Sequence, residues 1–225
     1  MMRAGFSMIV LLFFLLALLF FPLFFFMGIG AAFGALGIPR YVVPSLLLGS
    51  LIGSMINIPV YTSKRYDRQV EYYYFSRRWE ISKSRVYLNL GGCIIPIGIS
   101  IYVLYCQFSV RILLSVVITA IIVAIVSKKF ARIVPRLGIT MPMFIPPIIA
   151  ALAAVVSGTI LNIGGGVFVA SYAGGIIGVL VGADVLNLRK VVKMGAPRIS
   201  IGGAGTFDGI FLTGIFSVIL VAFLT

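Results

Sequence analysis

Five residues of the 225 carry a carboxylate side chain, and two of them, Asp184 and Asp208, stand in apolar surroundings. Asp184 lies in Val181-Gly182-Ala183-Asp184-Val185-Leu186-Asn187-Leu188, and Asp208 ends Gly202-Gly203-Ala204-Gly205-Thr206-Phe207-Asp208. Two carboxylates held close cannot both ionise easily: they share a proton, and a water between them can be activated to attack a peptide carbonyl. That is aspartyl-protease chemistry. It makes Asp184 and Asp208 the candidate catalytic pair, and makes the glycine-rich stretch with Gly203, Gly205, Thr206 and Gly209 the candidate substrate-binding segment, where backbone can approach backbone. Plainer roles exist for both acids: Asp184 could be wetted or paired with Arg189 or Arg198, and Asp208 could accept hydrogen bonds from Thr206 or Thr213. Histidine is absent, and Cys93 and Cys106 stand 13 residues apart, about 20 Å along a helix, too far to pair. The inventory therefore excludes a His/Cys zinc site, a Cys–His nucleophile and a histidine base, and it calls for no cofactor.

The elements that must position these acids are helices in a membrane. Hydrophobic residues make up 61 % of the chain and charged residues 10 %, against about 25 % charged in a soluble domain, and the mean hydropathy is +1.19. Apolar runs broken by charge predict seven spans, at about 5–29, 41–61, 88–108, 111–127, 141–161, 165–188 and 200–224. The reading is an all-α polytopic transmembrane bundle, residues 1–225 forming one integral membrane domain in the cell membrane. The first run, Phe6 to Met27, exceeds the 7–15 residues usual for a signal core and is expected to stay as a helix.

Lysine and arginine fall unevenly about these spans. One side takes Arg3, then Lys64, Arg65, Arg68, Arg77, Arg78, Lys83 and Arg85, then Lys128, Lys129, Arg132 and Arg136, then Arg189, Lys190, Lys193 and Arg198. The other side takes Arg40 and Arg111, so the tally is 16 against 2 and puts the N-terminus in the cytoplasm and Thr225 outside. Both intramembrane acids then lie toward the cytoplasmic face, on consecutive antiparallel spans. The net charge of +13 is explained by loops facing anionic lipid headgroups, and nucleic acid is not needed as a partner. Loop 62–87 mixes its basic residues with Tyr66, Tyr72, Tyr73, Tyr74, Phe75 and Trp79, a composition suited to the membrane interface or to docking a partner.

Glycines spaced by four, Gly30 and Gly34, Gly49 and Gly53, Gly174, Gly178 and Gly182, and Gly205 and Gly209, line up on helix faces. The triple set in the sixth span and the pair in the seventh predict that these two helices pack tightly. Asp184 then stands about 80–160° around the helix from that glycine face and does not point straight at the seventh span. Pro146 and Pro147 should break the fifth span, and Gly164, Gly165 and Gly166 should end a helix, breaks that membrane proteins tolerate beside a cavity.

The run Ile199-Ser200-Ile201-Gly202-Gly203-Ala204-Gly205-Thr206-Phe207-Asp208-Gly209-Ile210-Phe211-Leu212-Thr213-Gly214, with Gly182-Ala183-Asp184 upstream, resembles a family of archaeal and bacterial multipass membrane proteins catalogued as a domain of unknown function. That resemblance covers most of the chain and implies no activity. A fainter one is to the GxGD intramembrane aspartyl proteases, presenilin-like and prepilin-peptidase-like. It implies Asp184 and Asp208 as first and second catalytic acids and a membrane-protein or peptide substrate. Two other functions stay open. One is a small transporter or ion or proton pathway in which Asp208, the broken backbone and polar Asn57, Asn162 and Ser171 line a cavity. The other is a scaffold that binds lipid or a partner through loop 62–87 and needs neither acid.

Overall fold

Each of the seven apolar runs contains a helix in a computed structural model that describes residues 2–67, 80–134, 138–193, 198–203 and 209–225. In chain order these are α1 (Met2–Ala35), α2 (Val43–Gly53), α3 (Ile95–Cys106), α4 (Val110–Phe130), α5 (Ile145–Leu161), α6 (Gly166–Val179) continued into α7 (Leu186–Lys193), and α8 (Gly209–Leu224). Two π-turns interrupt the regular pattern, Leu90–Ile94 ahead of α3 and Leu180–Val185 between α6 and α7. Among the described residues, 110–130 and 166–193 are the two helices long and apolar enough to cross a membrane. Shorter apolar helices stand beside them: α2 has 11 residues, about 16 Å of helix, roughly half of a hydrocarbon core.

The expectation of an all-helical chain is corrected by two small sheets. Strands β1 (Asn57–Asp67) and β2 (Glu80–Asn89) form an antiparallel hairpin, and β5 (Arg198–Ile201) lies parallel to β2, giving the order β1-β2-β5. A second hairpin joins β3 (Arg132–Val134) to β4 (Gly138–Thr140). The run expected to be helical over 41–61 therefore leaves the helix after Gly53. Ile58, Val60, Tyr61 and Thr62 favour extended backbone, and Pro59 stands where the pairing shifts register before Tyr61. Loop 62–87 is largely the two arms of that hairpin, with residues 68–79 outside the described residues. The last run divides in the same way, its first residues pairing as β5 and α8 being described from Gly209.

The expected break at Pro146 and Pro147 is also corrected. Both fall in the first turn of α5, where a proline's missing N–H has no helical partner to lose. The glycine run 164–166 is the α5–α6 turn. Asn162, at φ +52°, caps α5 in the left-handed region, and Gly164 takes the same conformation.

The core is built around α6, whose residues from Gly166 to Val179 are nearly all buried. Gly174 lies on Thr119 and Val116 of α4, Gly178 on Val123 and Ala120, and Gly182 on the Ala124 backbone. These glycines turn toward α4, not toward α8 as expected. Another face of α6 takes α5 and α8: Gly175 meets Ala150 and Thr213, and Gly214 of α8 meets Tyr172 and Ile176. Phe33 of α1 packs edge-on against Tyr172, ring centres 6.2 Å apart. A buried hydrogen bond of 2.7 Å joins Ser115 of α4 to Ser157 of α5. The outer surface carries large apolar side chains, among them Phe13, Ile101, Tyr105, Ile121, Ile125, Val156 and Ile160.

Candidate functional site

The second π-turn carries Asp184. A π-turn inserts an extra residue into the helical repeat and rotates the side chains that follow, and such bulges are frequent at functional sites. Just beyond it, the buried Asn187 amide donates to the carbonyls of Gly182 and Ala183, at 3.3 and 3.0 Å, satisfying backbone groups that the altered ladder leaves. Asp184 is partly buried, and its Oδ2 accepts the backbone N–H of Gly202 at 2.9 Å. Among the described residues no cation pairs with it, so the expected plain role as a partner of Arg189 or Arg198 does not describe its position. The glycine ridge of α6–α7 is spent on α4, and this leaves Asp184 directed at the end of β5. The helix-face argument against its meeting the β5–α8 connection is removed for that reason.

Gly202 closes this junction. Its φ of +70° lies in the left-handed region, and a Cβ there would come within 2.8 Å of Gly92 and Cys93. The first π-turn, which holds Gly92 and Cys93, thus touches the residue that binds Asp184 on the second. Gly91 of the first π-turn lies directly on the end of α2, against Ser50 and Ser54, and Ser50 Oγ donates to the Gly91 carbonyl at 2.8 Å.

Polar side chains at the base of the sheet hold the pieces in register. Asn89, the last residue of β2, accepts the Gly92 N–H at 2.8 Å and donates to the Ser54 carbonyl at 2.6 Å and to Asn57 Oδ1 at 3.3 Å. Ser200 of β5 donates to the same Asn57 oxygen at 2.5 Å. The network Asn57–Asn89–Ser200 therefore fixes where β5 ends and where Gly202 presents its N–H. Asn89, Ser200 and Asn187 were not singled out in the sequence. Their signal was a polar residue beside a glycine pair or an intramembrane acid, which only becomes readable once strand pairing is known.

Of the other sequence-derived site residues, Gly203 is exposed and packs on Ser200 of its own turn, and Gly209 begins α8 with open space at its Cα. Gly205, Thr206 and Asp208 lie outside the described residues. Thr213 Oγ1 donates to the Gly209 carbonyl at 2.5 Å, so its proton is committed to its own helix. Asn57 belongs to the junction, whereas Ser171 donates to Phe168 within α6 and Asn162 is exposed at the end of α5. The arrangement offers an oriented carboxylate beside a backbone turn of glycines, rigidly referenced to a small sheet.

A family model described as Protein of unknown function (DUF1614) matches residues 51–220, a stretch that contains the hairpin, both π-turns, Asp184 and Asp208. No curated protein and no solved structure matches the chain.

Proposed function

Because the chain belongs to the DUF1614 family, whose description assigns no activity, we propose its function from the junction itself: an integral membrane aspartyl hydrolase acting on a membrane-protein or peptide substrate. The observation that carries the proposal is the hydrogen bond from Gly202 N–H to Asp184. It ties the first acid to the connection on which the second is borne, six residues on, at most about 20 Å of extended chain. In this reading one carboxylate takes a proton from water as it adds to the peptide carbonyl, and the other, protonated, donates to the carbonyl oxygen. Collapse of the tetrahedral adduct returns a proton to the leaving amine. Gly203, Gly205, Thr206 and Gly209 give the substrate backbone room beside the pair.

The membrane setting is supported by the two long apolar helices and by the apolar outer surface, which in water would promote association. The 16-to-2 distribution of basic residues supports seven passes, with the N-terminus and the sheet at the cytoplasmic face. Anionic lipid headgroups are the partners of the basic loops in this orientation.

The test places cysteines at 184 and 208 in a background lacking Cys93 and Cys106, and measures crosslinking with reagents of increasing length. Efficient crosslinking by the shortest reagent is expected. In reconstituted membranes, Asp184→Asn and Asp208→Asn are each expected to abolish peptide cleavage while the protein stays folded. Failure to crosslink at any length, or cleavage retained in either variant, overturns the hydrolase. Proton or ion flux lost in Asp208→Asn alone would assign a transport pathway instead.

A further inference from the structure

Away from the acids, the α1–α2 corner carries a cavity of about 680 Å³ between Met27, Gly30, Val43, Leu47 and Leu48, with Arg40 of the connecting turn also in its lining. That volume falls within the range of small-molecule sites. Its shape has a sequence cause. Gly37, at φ +79°, lets the chain reverse after α1, and the Leu36 carbonyl is held by Gln107 Nε2 at 2.9 Å. Phe33, Leu36 and Ile38 are buried and anchor the corner to the core, so α1 and α2 diverge from a fixed point. Along the open side of α1, a Cβ on Gly30 or Gly34 would meet nothing within 4 Å. Of these two glycines, Gly30 lines the groove, and among the described residues no neighbouring helix covers it.

The lining is apolar except for one charge. Arg40 is exposed, and among the described residues no acid lines the groove. A guanidinium at the end of an apolar trough is complementary to a molecule with hydrocarbon chains and an anionic head. We propose that the groove between α1 and α2 binds one anionic phospholipid of the surrounding bilayer, its acyl chains along Met27, Gly30 and Leu47 and its phosphate at Arg40. Arg40 and Arg111 are the two basic residues on the face opposite the basic loops, so this is a single-lipid site distinct from the general attraction of those loops for headgroups. The proposal rests on the membrane setting above and is independent of the hydrolase.

The full chain, purified from membranes in mild detergent, is titrated with phosphatidylglycerol or phosphatidylcholine and the bound lipid is counted by native mass spectrometry. One phosphatidylglycerol should bind in preference to phosphatidylcholine. Arg40→Gln should weaken that binding roughly fivefold, the worth of one lost lipid–cation contact, and Arg111→Gln should leave it unchanged. Gly30→Leu, whose side chain enters vacant space, should block the site while leaving the thermal midpoint near that of the parent. Equal binding of both lipids, an unaltered affinity in Arg40→Gln, or occupancy of the groove by a second copy of the chain would overturn the assignment. Recovery of the chain outside the membrane fraction would instead overturn the membrane setting itself.

Discussion

Gly174, Gly178 and Gly182 repeat every four residues on one helix, and Gly30 and Gly34 repeat every four on another, yet the two sets have opposite surroundings. On α6 and its continuation, a Cβ at each glycine would strike α4, whether at Thr119, at Val123 or at the Ala124 backbone. On α1, a Cβ at either glycine would meet nothing within 4 Å among the described residues. Small residues permit close approach, and in lipid that approach stabilises through dispersion and backbone contact. They do not create it. The neighbour must be brought there by the rest of the fold, as α4 is brought to α6 by its short connection to α3 and by the buried Ser115–Ser157 bond to α5.

Substitutions can break this contrast, and the largest effect belongs to the packed set. Gly182→Leu should cost about 3 kcal/mol or more, because backbone on α4 cannot yield as a flexible side chain would. Thermal unfolding in detergent would show it as a large fall in midpoint, and a tolerated leucine would mean that the α4 contact is loose. Gly202→Ala comes next, at about 2 kcal/mol, since it combines a left-handed backbone with a collision against Gly92. The same variant should displace the N–H from Asp184, so cleavage is expected to fall more steeply than stability. Asp184→Asn should change stability by less than about 1 kcal/mol, because an amide oxygen can still accept the Gly202 N–H. Its effect on cleavage is expected to be complete, which separates a catalytic acid from a structural one in a single pair of measurements. The smallest effect belongs to the open set: Gly30→Ala should raise stability by up to about 1 kcal/mol through helix propensity alone. A loss there would reveal a neighbour pressed on α1.

Helix-bearing segments were legible because an apolar run of about 20 residues has few other ways to satisfy its backbone. The divisions inside those runs were not. Asn57 to Tyr61 is as apolar as the helix before it, and only β-branched and aromatic content, with Pro59, hinted at a strand. Ser200 and Ile201 are indistinguishable from the start of the last span in sequence, because nothing local announces a parallel partner in β2, more than 100 residues earlier. The prolines at 146 and 147 look like a break in the sequence because the apolar run begins four residues ahead of the helix it contains. For the candidate site, the rarity of acids was enough to single out Asp184. The residues that orient it, Gly202, Asn89, Ser200 and Asn57, were beyond that argument, since their roles arise from a chain reversal and a strand register.

Composition and charge order by themselves determined that this chain would be built of apolar helices, with two of its five acids in apolar stretches of sequence and its basic residues massed in alternate connections. Those properties follow from the inventory, because transfer energies are additive along a sequence. Which glycine face meets which helix, and where the Asp184 carboxylate points, were decided only in the tertiary structure. A π-turn rotates the one, a left-handed glycine presents the N–H that receives it, and both depend on contacts between residues far apart in the chain.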